Sequence, residues 1–236
     1  MNFGTLKAIT IPEGNVTMIT CGEVVLWAIN SFPSEPTEYK LIETYTTNYT
    51  FIAPEDGWYK IEVFGASGSG GNAKVYYDGD FGSGYFVYTG GGGGGGAYAS
   101  SIIKLKAGDS VNISSLSVGD TASVSINSSI ETYTTINVTS GKNGTNATTY
   151  SYGQGGSGGT ASGGQTNKNG SSGTSGDLGA DTATEKVDGG VGGASAHVDG
   201  NKGGSAADAS YRVPGSPESG KPAFVKIYRG NTNVVS

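Results

Sequence analysis

Few side chains in this sequence could do chemistry. His197 is the single histidine, with Asp199 two residues on, so a Ser-His-Asp relay would have to use it, and no serine is marked out to join it. Gly155-Gly156-Ser157-Gly158-Gly159 satisfies G-x-S-x-G, but a nucleophile elbow needs a strand before the serine and a helix after it. Neither pattern flanks this stretch. Gly153-Gln154-Gly155-Gly156-Ser157-Gly158 satisfies G-x-G-x-x-G without the βαβ context that dinucleotide binding requires. In a region this rich in glycine, both matches are expected by chance. Cys21 is alone and cannot close an internal disulfide, and a zinc site needs more His or Cys ligands than the chain has. Asp78-Gly79-Asp80 reads as a turn, since no D-x-[DN]-x-[DN]-G loop follows. The expectation is a chain that is not an enzyme and holds no metal or cofactor.

Binding chemistry has better support. Tyr150 and Tyr152 stand among Asn146, Thr148 and Thr149, and Tyr211 follows later. Tyrosine offers a large amphipathic contact area at low entropic cost, and loops held on a rigid scaffold are where recognition is normally placed. Asn146, Tyr150, Tyr152 and Tyr211 are therefore the candidate contacts. Tyr76, Tyr77, Phe81, Tyr85, Phe86 and Tyr88 read as a β-hairpin around Asp78–Gly84 with half of its aromatics packed inward.

The elements that must position these residues are strands. Tyr49-Thr50-Phe51-Ile52-Ala53 and Trp58-Tyr59-Lys60-Ile61-Glu62-Val63-Phe64 alternate apolar with polar, separated by the turn Pro54-Glu55-Asp56-Gly57. Further runs occupy 97–106, 110–113, 122–126, 133–138 and 223–228. Phe51, Ile61, Val63, Ile103, Leu105, Val225 and Ile227 are expected to share one core. No window carries a helical period. Residues 1–30 read as a small β module, 31–38 with Pro33 and Pro36 as a linker, and 39–236 as a glycine-rich β domain. The net charge of −6 argues against nucleic acid, and no apolar run approaches the ~20 residues that span a membrane. The start of the chain has no secretory-signal pattern, so the eight Asn-x-Ser/Thr triplets read as products of Asn/Ser/Thr-rich turns and strands rather than as glycan acceptors.

Glycine is concentrated: 36 of the 43 lie in 65–96 and 141–220, with the closing strand after them. This makes the glycine-rich parts insertions in the β domain rather than a tail. Within them glycine recurs every third residue, at Gly65/68/71, Gly90/93/96, Gly153/156/159 and Gly170/173/176/179. A left-handed helix of about three residues per turn puts every third residue on one face. Glycine on that face lets neighbouring helices approach until their backbones pair. Packed polyglycine-II-like helices are expected, with Gly153, Gly156, Gly159, Gly170, Gly173, Gly176 and Gly179 at the contacts. Collagen is disfavoured because no proline lies between Pro54 and Pro214, and a disordered linker because it would be richer in charge and poorer in Tyr, Ala and Thr.

The stretch Phe51-Ile52-Ala53-Pro54-Glu55-Asp56-Gly57-Trp58-Tyr59-Lys60-Ile61-Glu62-Val63-Phe64-Gly65-Ala66-Ser67-Gly68 resembles the opening of the glycine-rich domain of phage and prophage tail proteins. The Gly90–Gly96 run, Ala97-Tyr98-Ala99, Leu105-Lys106-Ala107-Gly108-Asp109 and the closing Pro222–Tyr228 strand are similar to that family's later features. Residues 7–27 are similar to N-terminal modules of tail proteins from phages of Gram-positive gut bacteria. The resemblance implies a jelly-roll-like, tumour-necrosis-factor-like sandwich with glycine helices inserted between strands. It also implies a tail or tail-fibre protein of the virion, made in the bacterial cytoplasm and acting in host attachment. The partners expected are other tail proteins through the N-terminal module, a host surface glycan or protein, and further copies of the chain in a homotrimer. A purely structural virion protein without receptor contact is the alternative.

Overall fold

The computed structural model describes residues 32–78, 84–179, 187–210 and 213–231, together with the strands Met18–Cys21 and Val24–Ala28. The chain divides into two units between Glu35 and Pro36, inside the segment read as a linker. In the first unit β1 (Met18–Cys21) pairs antiparallel with β2 (Val24–Ala28), with a bulge between Ile19 and Thr20. The remainder of the 1–30 module lies outside the described residues.

The second unit is all-β among its described residues. One five-stranded antiparallel sheet contains β3 (Tyr39–Tyr45), β5 (Gly57–Phe64), β8 (Tyr98–Leu105), β13 (Thr166–Lys168) and β17 (Phe224–Gly230), in the order β13-β8-β5-β17-β3. The other contains β4 (Tyr49–Ile52), β9 (Ser110–Ser114), β10 (Thr121–Asn127), β11 (Ile136–Thr139) and β12 (Ala161–Ser162), in the order β12-β11-β10-β9-β4. The inward residues of both sheets meet in one core. Tyr59, Ile61, Val63, Ile103, Val225 and Ile227 come from the first sheet, and Phe51, Val111, Val124, Ile136 and Val138 from the second. All seven residues read as core from the alternation lie in it. Gly163, with φ of 80°, turns the chain between β12 and β13, so the chain passes from one sheet to the other there.

Between the sheets and the opposite end of this unit run eight backbone-paired segments: 65–73, 89–97, 139–147, 151–160, 169–177, 187–196, 201–209 and 216–222. Their pairing advances three residues at a time. The N–H groups of Gly65, Gly68 and Gly71 donate to the carbonyls of Ala97, Gly94 and Gly91. Those of Gly153, Gly156 and Gly159 reach Thr89, Gly92 and Gly95, and those of Gly190, Gly193 and Ala196 reach Gly90, Gly93 and Gly96. In turn Gly91 and Gly94 donate to Thr145 and Lys142, Gly92 and Gly95 to Thr174 and Ser171, and Gly93 and Gly96 to Gly204 and Asn201. These bonds span 2.8–3.1 Å.

Segment 89–97 is therefore surrounded by six others, and the six pair with one another. Gly141 donates to Ala66, Lys142 to Ser157, Gly173 to Gly156, Thr174 to Val191, Gly203 to Gly193 and Gly204 to Gly68, which closes the ring. Chain order is ring order: after 65–73 come 139–147, 151–160, 169–177, 187–196 and 201–209, the last lying back against the first. The seven consecutive glycines 90–96 follow from this position. A segment with neighbours on every side has no direction free for a side chain. A Cβ on Gly93 would stand 2.2 Å from Gly68 O, on Gly94 1.9 Å from Ser157 O, and on Gly95 2.1 Å from Ala194 O. Ring segments have an outer face, where side chains such as Lys142, Asn143, Gln154, Ser172 and Val191 are exposed. Among the described residues positive φ occurs only at Ser115, Gly108, Gly119 and Gly163. The glycines of the segments serve close approach, not an unusual backbone conformation.

Candidate functional site

The segments alternately leave the sheets and return to them, so the described parts of four connections collect at the far end of the lattice: 73–78 with 84–89, 147–151, 177–179 with 187, and 209–210 with 213–216. The first holds a hairpin, β6 (Lys74–Asp78) against β7 (Gly84–Tyr88), to which β14 (Leu178–Gly179) adds a third strand through Leu178↔Tyr88. The last holds the short pair β15 (Ala209–Ser210) and β16 (Val213–Pro214). Register places Tyr76 opposite Phe86 and Lys74 opposite Tyr88 on one face of the hairpin, and Tyr77 opposite Tyr85 on the other. The rings of Tyr77 and Tyr85 are 4.8 Å apart.

Between the outgoing segment 139–147 and the returning segment 151–160 lies a tight turn. Thr148 N–H donates to Ser151 O at 2.9 Å, the two hydroxyls are 2.7 Å apart, and Tyr150 N–H reaches Thr148 Oγ1 at 3.3 Å. The Tyr150 ring contacts Tyr76 at 5.9 Å between centroids, tilted 56°, yet the residue is 80% exposed. Tyr77, Tyr152, Leu178 and Phe86 are also exposed at this end. Asn146 Oδ1 accepts Asn72 N–H at 2.8 Å and Asn72 Nδ2 at 3.2 Å, so this candidate contact also ties two lattice segments together. Asn143 ties Ser69 in the same way, which accounts for two of the Asn-x-Thr triplets in structural terms. Tyr211 lies outside the described residues, as does Gly79–Ser83 of the hairpin turn.

Among the glycines expected at helix contacts, Gly153, Gly156 and Gly159 donate to the central segment. A Cβ on any of them would stand 2.0–2.2 Å from a carbonyl of 139–147. Gly170, Gly173 and Gly176 face the central segment itself, at 2.2, 2.2 and 2.1 Å from Gly95 O, Gly92 O and Thr89 O. Gly179 lies elsewhere. The lattice pairing of 169–177 ends with Gly176 N–H on Gly153 O and Thr89 N–H on Asp177 O. The chain then turns at Asp177, and Gly179 pairs with Val87 in β14, where a Cβ would meet the Val187 side chain.

Thr89 joins the central segment to this end. Its buried Oγ1 accepts Asp177 N–H at 2.7 Å and lies 3.1 Å from Asp188 O.

At the opposite end, where the lattice meets the sandwich, His197 stacks on Tyr98 with centroids 4.5 Å apart and meets Phe64 edge-on at 5.5 Å. Its Nδ1 accepts Asp199 N–H, its carbonyl accepts the Ser195 hydroxyl, and the Asp199 carboxylate pairs with Lys226 at 3.1 Å. Histidine, serine and aspartate are thus close in sequence but not wired as a relay. Asn201, buried, donates Nδ2 to Gly65 O and Pro222 O and fastens this loop to the sandwich. Ser157 of the G-x-S-x-G match lies mid-segment, its carbonyl accepting Lys142 N–H, with neither a strand before it nor a helix after it.

One group was not singled out by the sequence. Glu62 is buried on the outer face of the first sheet, with Tyr98 OH on Oε1 at 3.0 Å, Tyr228 OH on Oε2 at 2.7 Å and Lys60 Nζ at 2.6 Å. Burial pushes its carboxyl up, but the Lys60 ammonium and the two phenols outweigh burial and hold it below the usual carboxylate range. Tyr98 is pushed up to about 12, first by burial and then by the Glu62 charge. The only signal in the sequence is a glutamate alternating with Ile61 and Val63 in a strand with aromatics at either end.

No family model matches the chain, and no curated protein matches it significantly. The site must be read from its own geometry. Among the described residues no cluster of His, Cys, Asp and Glu is arranged to hold a metal ion. What the unit presents at the far end of the lattice is a set of loops with exposed aromatic and amide groups, anchored on a continuous backbone network.

Proposed function

We propose that the chain is a non-catalytic protein of a bacteriophage tail or tail fibre that attaches the particle to the bacterial surface through the far end of its glycine lattice. One observation carries this reading. Tyr150, 80% exposed, is held at a hydrogen-bonded turn on the end of the lattice remote from the sandwich, among other exposed aromatics. Water-exposed rings on a rigid frame cost stability without return inside the fold, and a contact surface gives them a use. The resemblance of residues 51–68 and 222–228 to tail proteins supplies the setting. In it the segments are polyglycine-II-like helices and the sheets a jelly-roll-like sandwich. The three-residue hydrogen-bond step supports the first, and the two antiparallel sheets about one core support the second. Residues 1–30 dock to other tail proteins, copies of the chain assemble as a homotrimer, and the protein is made in the bacterial cytoplasm and ends in the virion.

A purely structural virion role is favoured by a different feature. Edge strands β3 and β4 expose Leu41, Ile42, Tyr49 and Ile52, apolar surface suited to a neighbouring virion protein.

Binding of fluorescently labelled protein to a panel of Gram-positive gut isolates separates the two. The attachment reading expects saturable binding to some isolates that Tyr150→Ala abolishes at unchanged Tm. Absence of binding to every isolate, with particles assembling normally, favours the structural role.

A further inference from the structure

The tip has a chemistry narrower than "aromatic". On the flank where 65–73 meets 139–147, six residues fall into two contact groups, Asn72 with Asn146 and Tyr150 with Tyr76, Thr148 and Ser151, joined through the backbone by Ala147 N–H on Asn72 O. None carries a charge. Tyr150 supplies an exposed ring, braced by Tyr76. Asn146 Oδ1 is occupied by two Asn72 donors, which fixes the orientation of the carboxamide and leaves Asn146 Nδ2 as the donor of the pair. Asn72 keeps its own Oδ1 as an acceptor, since its Nδ2 makes the bond to Asn146. Both asparagines are exposed. The result is an exposed ring and, four residues before it in the chain, a fixed amide donor paired with an amide acceptor, on backbone held by the Thr148–Ser151 turn and by Ala147 N–H on Asn72 O at 2.8 Å.

We infer that this flank binds a neutral carbohydrate, with a pyranose ring stacked on Tyr150 and its hydroxyls bonded by Asn146 and Asn72. A pyranose has one face lined by C–H groups, suited to an aromatic ring, and rim hydroxyls that each donate and accept, suited to a carboxamide pair. An anionic polymer would require cationic partners, and the six residues supply none, Lys74 on the Tyr76 face of the hairpin being the cation beside them. A protein epitope held by aromatic anchors favours rings seated in desolvated pockets, whereas Tyr150 stands clear of its surroundings. The preformed amide geometry removes part of the ordering cost that weak sugar binding otherwise carries. The inference rests on the reading that this end of the lattice faces the host.

The test uses saturation-transfer NMR on the whole chain, with maltohexaose and cellohexaose as neutral probes and polygalacturonate as the anionic one. The expected result is transfer to ring C–H protons of a neutral probe. It should fall at least ~10-fold in Tyr150→Ala and persist in Tyr150→Phe, which keeps the ring. Asn146→Asp should weaken it as well, because it keeps the acceptor for Asn72 N–H but loses the amide donor. No transfer to either neutral probe, transfer confined to polygalacturonate, or transfer unchanged in Tyr150→Ala would overturn the inference. Cell binding distinguishes this failure from failure of attachment. Tyr150-dependent binding that survives periodate oxidation of surface sugars and is lost on protease treatment leaves attachment standing and removes the carbohydrate. Loss of binding on periodate treatment alone supports it.

Discussion

Gly173 has no room for a methyl group toward Gly92: a Cβ there would stand 2.2 Å from the Gly92 carbonyl oxygen, which itself accepts Gly156 N–H. Neither backbone can move without breaking bonds to its other neighbours. Gly173→Ala is expected to destabilise the second unit by about 1–3 kcal/mol, the usual range for forced overpacking. Ser172→Ala, on the exposed side, should stay within about 0.5 kcal/mol. Hydrogen exchange of the 89–97 amides reads both variants. Protection in the native chain that is lost only in Gly173→Ala supports the packed lattice, and fast exchange of those amides in the native chain would refute it.

Ile61 is fully buried in the core shared by the two sheets. Ile61→Asp places an unpaired charge there and should cost on the order of 4 kcal/mol or more. The expected readout is loss of the cooperative melting transition. An unchanged melt would mean that the phase of β5 is reversed.

Glu62 should make stability pH-dependent in a defined direction. Its folded pKa lies below the ordinary 4.5, so its contribution is fully present above that value and is lost as pH falls through the lowered folded value. Glu62→Gln should therefore cost about 1–3 kcal/mol at pH 7, and the gap from wild type should close as the solution is acidified below about pH 4. A gap of constant size from pH 7 to pH 3 in denaturant melts would exclude this electrostatic role.

Thr89 offers a test of how the tip is held. Thr89→Val removes the acceptor of Asp177 N–H and should cost about 1–3 kcal/mol through an unsatisfied buried group. Exchange should quicken first at the Asp177 and Leu178 amides, ahead of those in 139–147. Uniform quickening along the whole lattice would contradict a local role.

The sandwich was legible because its strands alternate, and each of the seven expected core residues is buried where the alternation puts it. β3 was not legible. Its Lys40-Leu41-Ile42-Glu43 stretch is exposed, bulged against β17 between Ile227 and Tyr228, and lies at a sheet edge, so no two-residue period marks it. The three-residue glycine spacing was legible as packing, but the arrangement was not. A side-chain-free run of seven marks the segment that others surround, while segments with an outer face keep side chains, with one glycine in three in 139–147 and 169–177 and two in three in the central parts of 151–160 and 187–196. That distinction is present in the sequence and can be recognised only once the ring is known. Gly179 continued the spacing by coincidence into a strand. Glu62 was hidden because its partners, Tyr98 and Tyr228, lie far away along the chain and are brought together by strand pairing alone.

The closing of the ring by 201–209 on 65–73 has a consequence for how the protein reaches its native state. The glycine run 90–96 leaves the ribosome long before most of the carbonyls and amides it will bond. Until 201–209 arrives, part of that run has only water as a partner. Its order depends on contacts between residues far apart in sequence, the kind that slow folding. Glycine also has the most conformational freedom to lose. Sandwich strands adjoining 65–73, 89–97, 139–147, 151–160 and 169–177 hold one end of each of those segments near the others and shorten that search, whereas 201–209 adjoins none. The centre of the lattice is thus synthesised early and completed late, and a chain truncated before residue 201 would leave the ring open on the side of Gly93 and Gly96.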